Sequence, residues 1–363
     1  MVLVVKEKVR RLIRLRQELV KHLLAPCENE RGMALLVTFM VLALLVAVTL
    51  AYHKTAWHKY VVAFNLKTLA QLKSVAESAV HFGGAILQYD TTTGTSDSLL
   101  DPWATVRDED LQNLFPFANA HLEIIDLSGL FQINSLVQRR DGKGKERLAG
   151  QSRAVEKESR AIFYRLLLSG GFAVENELQA RQLIDALIDW LDGDDKESDY
   201  GAEHPYYRSL QPPYDCKNGA VEYIEELLLV KGMTPQLLFG SATTEALAPF
   251  LTVYGDDGRM NINTAPRRLL KSLQPFINDD LVELLDAYRK NPHHVDHLAD
   301  RHWYKKIGGW PGDIVIYEDV LTTESVFFRI EGTGKSENLE KRVTAVVERV
   351  GRQKVKLLWR KVD

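Results

Sequence analysis

An uninterrupted apolar stretch near the N-terminus constrains this chain more than any other feature. Residues 33–51 carry no charged side chain, and only Thr38 and Thr49 are polar. As an α-helix this stretch would be about 28 Å long, close to the hydrocarbon thickness of a bilayer. A buried core helix is the alternative, but such a helix normally keeps one polar face. We therefore predict a membrane-spanning helix over 33–51.

The apolar stretch separates a basic arm from an acidic body. Residues 1–32 hold eight Lys/Arg and four Asp/Glu, a net charge of +4. Because the whole chain has a formal net charge of −3, the remaining residues are net −7. Positively charged flanks favour the cytoplasm, so we expect the N-terminus in the cytoplasm and the body across the membrane. An acidic body also argues against a nucleic-acid partner.

The pattern that follows the apolar stretch predicts that the helix continues out of the bilayer. Apolar residues recur at three- and four-residue steps from Val61 to Val80, which is typical of an amphipathic helix. No clear helix breaker occurs before Gly83-Gly84. We expect one continuous helix of about fifty residues, half in lipid and half packed on a soluble domain.

The body combines β-rich ends with a helical middle. Two short runs, 122–125 and 130–134, flank an Asp-Leu-Ser-Gly turn and predict a hairpin. Three further β-rich runs occupy 326–330, 342–348 and 355–359, whereas residues 152–310 have helical patterns. We predict an α+β fold in which a small antiparallel sheet carries a large inserted α-helical domain.

An acidic loop in this helical middle is the strongest candidate for a metal site. It places seven carboxylates in the fifteen residues from Asp189 to Glu203. Closely spaced hard oxygen ligands suit Ca²⁺, although the spacing is not that of an EF-hand. A solvated acidic loop without a metal is equally consistent with these residues. The amide of Asn218 is a candidate neighbouring ligand.

The chain shows no pattern of a catalytic site. Its serines and glycines form neither a nucleophile elbow nor a phosphate-binding loop. The paired acids lack an accompanying nucleophile and base. One histidine cluster could offer zinc or copper ligands, but its proline and charges favour a surface loop. Its members are His293, His294, His297 and His302. We therefore predict that the protein is not an enzyme.

The start of the apolar stretch resembles a type IV prepilin leader junction. The sequence Glu-Arg-Gly-Met-Ala-Leu-Leu over 30–36 places a charged arm and a glycine before the helix. This resemblance implies cleavage by prepilin peptidase between Gly32 and Met33, followed by methylation of the new N-terminus. Most pilins carry Glu at the fifth mature position, where this chain has Val37. Its absence fits a tip subunit that has no neighbour above it.

Several spaced motifs in the body resemble the general secretion pathway protein K family. They are Asp101-Pro-Trp-Ala104, 126–134, Asp189-Trp-Leu-Asp-Gly-Asp194, 201–207, 226–233 and Asn261-Ile-Asn-Thr-Ala265. This family comprises minor pseudopilins of the type II secretion system, and the match extends from Gly32 to about Val350. A leader of 32 residues is long for the family, so either a misassigned start codon or a genuine extended arm accounts for it.

The resemblance implies a pseudopilin fold, an inner-membrane location and a periplasmic body. Implied partners are the minor pseudopilins I and J, prepilin peptidase and the inner-membrane assembly platform. The expected domains are a leader (1–32), the N-terminal helix (33–90), two parts of the pseudopilin domain (91–151 and 316–363) and the insert (152–315). The expected partner surface comprises Val61, Phe64, Leu69, Leu72, Ala76 and Val80.

The same resemblance implies that the acidic loop binds structural calcium. The proposed ligands are Asp189, Asp192, Asp194, Asp199 and Glu203. Because a loop of this length has few apolar anchors, a cation bound only in the folded state would stabilise it.

A membrane-anchored DNA-binding protein of the competence type is the alternative function. The segment from Asn261 to Arg289 resembles the helix-hairpin-helix of such receptors. Those hairpins hold phosphate with backbone amides flanked by glycines. Here the hairpin position, 273–277, contains no glycine, and the acidic body would repel phosphate.

Overall fold

The computed structural model describes residues 30–93, 96–112, 119–137, 149–351 and 354–363. The expected leader therefore lies outside the described residues except for its last three, and the expected domain 91–151 is described only in part. The chain divides into two compact units, Met1–Thr68 and Leu69–Asp363. The predicted domain boundaries stay predictions.

The apolar stretch lies in one long helix, α1 (Glu30–Thr93), of 64 residues. Its most apolar 18-residue window is 0% buried within the chain, and the helix is long and apolar enough to cross a membrane. The predicted continuous helix is confirmed and is longer than expected, because it passes through Gly83-Gly84. A Cβ atom at Gly83 would lie 2.8 Å from a methyl carbon of Ile330, so glycine allows close packing on the sheet here.

Four antiparallel strands form the sheet that receives the second half of α1. They are β1 (Asn119–Asp126), β6 (Phe327–Lys335), β7 (Glu340–Val350) and β8 (Lys354–Val362), in the order β1-β6-β7-β8. Alternate residues of β1 are buried, which gives the period-two pattern of a strand with one face on the core. The three predicted C-terminal strands are confirmed.

The predicted hairpin over 122–134 is wrong. Strand β1 pairs with β6, with Ile124 opposite Ile330, instead of with the run that follows it. That run forms β2 (Phe131–Gln132), which pairs in parallel with β3 (Leu251–Thr252). The backbone N–H of Ser128 donates to the Asp126 side chain at 2.7 Å, and the chain then turns away from β1. Alternating hydrophobicity identifies a strand but does not select its partner.

Two glycines of β6 allow the helix to lie directly on the sheet. A Cβ atom at Gly334 would lie 2.5 Å from the carbonyl oxygen of Leu72, and one at Gly332 would clash with that of Ala76. Leu72 and Ala76 are 2% and 0% exposed, respectively. The close approach of α1 to β6 is therefore possible because Gly332 and Gly334 have no side chain.

The residues between β1 and β6 contain most of the helices. The remaining α-helices of the described residues are α2 (Asp108–Gln112), α3 (Ala149–Leu167), α4 (Glu177–Leu191), α5 (His204–Arg208), α6 (Pro235–Phe239), α7 (Arg267–Ser272) and α8 (Asp279–Arg289). Short 3₁₀ turns occupy Ile133–Leu136, Ile224–Leu229, Ala248–Phe250, Pro292–Ala299, Trp303–Lys306 and Glu318–Val320. Strands β4 (Met260–Asn261) and β5 (Leu321–Thr322) form a second short parallel pair.

Helix α4 illustrates how local sequence sets an element that positions the acidic loop. The side chain of Asn176 caps its first turn by accepting from the backbone N–H of Gln179 at 3.0 Å. Leu183, Leu187 and Leu191 follow at four-residue steps and are almost fully buried. These residues belong to a large apolar core, whereas α1 and the sheet share a separate smaller one.

Candidate functional site

The acidic loop begins where α4 ends and closes where α5 begins. Asp192 follows the last helical residue, and its backbone N–H donates to the carbonyl of Ile188. The loop returns so that Glu203 directly precedes α5. This path brings carboxylate oxygens of Asp192, Asp194 and Glu203 within 4.8 Å of one another. Three of the five predicted calcium ligands therefore converge.

Glu203 is the least solvated member of this group. Its side chain is buried, no N–H or O–H group donates to either carboxylate oxygen, and the buried thiol of Cys216 is the weak donor beside it. Burial, with the neighbouring charges of Asp189 and Asp192, raises the pKa of Glu203 to about 7. Burial and the charges of Asp194 and Asp189 likewise raise the pKa of Asp192 to about 6. A cation would relieve both the desolvation and the mutual repulsion.

Asp189 is one of the predicted calcium ligands, but its carboxylate instead accepts hydrogen bonds from the backbone of the loop. Its carboxylate is fully buried and accepts from the backbone N–H groups of Ser198 at 3.1 Å and Ala202 at 2.8 Å. A Cβ atom at Gly201 would clash with this carboxylate. Asp189 therefore holds the two ends of the loop together by backbone hydrogen bonds. Asp199 is exposed and is not a member of the converging group.

Asn218 supplies a further oxygen beside the loop. Its amide nitrogen donates to the carbonyl of Asp194 at 2.9 Å and to the carboxylate of Asp195 at 3.0 Å. Its amide oxygen is buried without a hydrogen-bond partner. The backbone of Asn218 has φ of 46°, a left-handed conformation that asparagine tolerates better than most residues. Carboxylate and amide oxygens are the ligands that calcium accepts.

A second carboxylate group, missed by the sequence argument, comprises Asp90, Asp97 and Asp101. Here a positive charge is already present, because the guanidinium of Arg349 pairs with Asp90 at 2.8 Å and also with Asp97. Arg349 lies on β7, far along the chain from these acids, so no local spacing could have revealed the group. It forms a buried ion-pair network of the chain itself.

The Asn261–Ala265 motif joins the inserted residues to the sheet. The amide nitrogen of Asn261 donates to the hydroxyl of Ser325 at 2.7 Å and to the carbonyl of Asp97 at 3.1 Å. Asn263 accepts from the indole of Trp303 at 2.7 Å. The polar side chains of Asn261 and Asn263 therefore form hydrogen bonds with other segments of this chain.

The hairpin between α7 and α8 has acidic groups at the position where a DNA-binding hairpin would hold phosphate. Asp279 and Asp280 form the first turn of α8, and Asn278 caps its backbone. These charges disfavour a phosphate at this helix end.

Histidines of the cluster predicted as possible zinc or copper ligands contact other side chains of the chain. His294 stacks on Tyr288 with ring centroids 3.9 Å apart, and His302 pairs with Glu318 at 3.1 Å.

The predicted partner surface requires correction at two of its six positions. Leu72 and Ala76 are buried against this chain's own sheet, so neither is available to a partner. Phe64 is exposed, and Val61, Leu69 and Val80 are half-buried. A helical period shows which residues share a face but does not show whether the chain itself covers that face.

Comparisons with known proteins agree with this architecture. A family model described as type II secretion system (T2SS), protein K matches residues 129–256. The type II secretion system protein K of Aeromonas hydrophila is 30% identical over 244 residues, which are 66% of this chain and 68% of that protein. The Klebsiella pneumoniae protein of the same name is 28% identical over 244 residues, covering 65% and 67%.

A solved structure shares the fold. It is a chain from the crystal structure of the GspK-GspI-GspJ complex of the enterotoxigenic Escherichia coli type 2 secretion system. The match has a TM-score of 0.56 at 18% identity and covers 86% of this chain and 99% of that chain.

The long apolar helix, the antiparallel sheet and the helices inserted between its strands define an α+β protein that shares its fold with this secretion-system chain. The chain belongs to the protein K family of the type II secretion system, the GspK minor pseudopilins. The predicted family resemblance and fold class are confirmed.

Proposed function

We propose that the protein is the tip subunit of the type II secretion pseudopilus, where it initiates or caps the fibre for protein export across the outer membrane. The continuity of α1 carries this proposal, because one helix contains both a lipid-length span and a half packed on the sheet. Such a helix can anchor the subunit before assembly and enter the fibre afterwards. The lack of a carboxylate at Val37 suits a subunit without a neighbour above it.

Processing would prepare the helix for assembly. Prepilin peptidase would cleave between Gly32 and Met33, and the new N-terminus would be methylated. The charge difference across the span supports a cytoplasmic N-terminus and a periplasmic body in the inner membrane. Mass spectrometry of membrane-extracted protein tests this step. A methylated N-terminus at Met33 is expected, and an intact leader in cells with active peptidase would contradict the proposal.

The partners in this function would be the minor pseudopilins I and J, together with the inner-membrane assembly platform. The related fold found in a GspK-GspI-GspJ complex supports this choice. Phe64 is the exposed member of the predicted surface, at 56% exposure, and is the first position to test. Co-purification of the full chain with both partners should depend on it.

We further propose a structural calcium site formed by Asp192, Asp194 and Glu203, with the amide oxygen of Asn218 beside them. The buried oxygens of Glu203 support a bound cation, because they receive no N–H or O–H donor and a buried carboxylate without such donors destabilises a fold. Calcium would hold the loop by binding the folded state only. Calorimetric titration of the detergent-solubilised chain with Ca²⁺ should show binding that chelator reverses. An absence of binding would contradict the site.

A further inference from the structure

The helix segment directly after the membrane span carries an unusual set of exposed side chains. Tyr52, Trp57 and Tyr60 are 75%, 58% and 61% exposed. Lys54 and Lys59 lie between them and are also exposed. Trp57 and Tyr60 stack with their ring centroids 5.8 Å apart. We call these five residues the collar.

The collar covers about 220° of the helix circumference, more than twice the width of one contact stripe. At about 100° per residue, the five side chains leave the axis at roughly 0°, 200°, 140°, 340° and 80° in chain order. A single partner helix contacts one stripe of its neighbour, about 100° wide. A layer that the helix passes through contacts all sides. The angular distribution therefore favours a surrounding medium over one protein partner.

Tyr52 and Lys54 lie at the depth of the headgroup layer, and the other three collar residues lie about 1–6 Å beyond its outer edge along the helix axis. Tyr52 immediately follows the apolar run, and Trp57 lies about 9 Å beyond Ala51 along the axis. The headgroup layer extends about 5–8 Å beyond the hydrocarbon on each side. Helical side chains point back toward the N-terminus, so the rings of Trp57 and Tyr60 lean toward the span.

The chemistry of the collar matches the same layer. Tyr and Trp are enriched where membranes meet water, because their rings combine an apolar body with a polar group. Lysine ammonium groups are attracted to the phosphates of anionic lipids. Aromatic rings and ammonium groups together suit phospholipid headgroups.

We propose that Tyr52, Lys54, Trp57, Lys59 and Tyr60 bind phospholipid headgroups and set the depth of the span in the bilayer. The inference rests on the proposed membrane anchoring of α1. The collar would also resist removal of the helix from the membrane, so leaving the bilayer for a fibre would require these lipid contacts to be broken.

Fluorescence quenching by brominated lipids tests the proposal. The full chain would be reconstituted into phosphatidylethanolamine–phosphatidylglycerol vesicles brominated either near the headgroup end or near the tail end of the acyl chains. We expect headgroup-end bromines to quench at least about twofold more strongly, as for an interfacial indole. Trp57→Phe should remove most of this quenching, and Trp310→Phe, in the inserted region, should leave it unchanged.

The lysines supply a second readout. Replacing phosphatidylglycerol by a zwitterionic lipid should shift the depth of Trp57 in the natural chain but not in the Lys54→Gln/Lys59→Gln variant. If the chain floats with the vesicles but Trp57→Phe leaves quenching unchanged, the collar is wrong and the anchoring stands. Quenching that disappears as the protein density rises would assign the surface to protein contacts. A chain that fails to float would overturn both proposals.

Discussion

The hydroxyl of Ser325 donates a 2.6 Å hydrogen bond to the carboxylate of Asp126, although the two residues are 199 positions apart. Asp126 ends β1 and Ser325 precedes β6, so the bond lies where the chain leaves the sheet and where it returns. Thr264, from the inserted region, donates to the same carboxylate at 2.5 Å. The junction between sheet and insert is thus a buried polar cluster in which one carboxylate collects donors from three segments.

Removal of the Ser325 hydroxyl should destabilise this junction. Ser325→Ala leaves Asp126 without one donor and Asn261 without one acceptor, and we expect a loss of about 1–3 kcal/mol. Ser78→Ala is the matched control, because the Ser78 hydroxyl is exposed and bonds only its own helix. Thermal unfolding of the detergent-solubilised chain provides the measurement. Equal melting temperatures for the two variants would contradict the assigned role.

The glycines of β6 should tolerate no side chain. Gly334→Ala places a carbon against the carbonyl of Leu72, and we expect a loss of about 1–3 kcal/mol from overpacking. Gly84→Ala is the control, because nothing lies within 4 Å of a Cβ atom there. It should be neutral or stabilising by up to about 1 kcal/mol, since alanine favours helix. If Gly84→Ala lowers the stability and Gly334→Ala does not, the proposed close packing of α1 on β6 is wrong.

Calcium should stabilise the protein through Glu203. We expect excess Ca²⁺ to raise the melting temperature of the natural chain, because the ion would bind only the folded loop. Glu203→Gln should abolish this rise, whereas Asp199→Asn, at an exposed position outside the converging group, should retain it. A rise that survives in the Glu203 variant and disappears in the Asp199 variant would place the ion elsewhere.

Without calcium, stability should fall as pH rises from about 5 to about 8. The pKa of Glu203 is raised to about 7 and that of Asp192 to about 6. The folded state therefore holds protons more tightly than the unfolded chain, and unfolding releases them. The stability contributed by the neutral forms is full at low pH and is lost as pH rises through the folded-state pKa values.

Melting temperatures measured across this pH range, with and without Ca²⁺, test that dependence. Asp126 also contributes below about pH 6, because burial raises its pKa to about 6. Glu203→Gln should therefore remove the fall in stability between about pH 6 and pH 7 and make the fall at lower pH less steep, where Asp192 and Asp126 still contribute. A melting temperature that rises with pH in chelator would contradict the assigned direction.

Substitutions on α1 should separate the partner surface from the chain's own core. Ala76→Asp would bury an unpaired charge against the sheet and cost about 3–5 kcal/mol. Phe64→Asp changes an exposed side chain and should leave the melting temperature within about 1 °C. We expect Phe64→Asp to reduce co-purification with the proposed partners I and J without lowering the melting temperature, whereas Ala76→Asp lowers the melting temperature itself. Intact co-purification would remove Phe64 from the interface.

The sequence by itself determined the elements whose signal is local. The charge-free run 33–51 predicted the exposed apolar part of α1, and β-rich runs predicted β6, β7 and β8. The ordered motifs from Asp101 to Ala265 identified the family. Each of these signals depends on residues that are neighbours along the chain, so length, period and order are sufficient.

Only the tertiary structure decided which distant residues meet. It paired β1 with β6 instead of with the following run, and it buried Leu72 and Ala76 under glycines of a strand far along the chain. Within the acidic loop it selected Asp192, Asp194 and Glu203 and assigned Asp189 to backbone hydrogen bonds. All seven carboxylates have the same local character, and their roles differ because burial and backbone geometry fix which of them converge and which accept hydrogen bonds that close the loop.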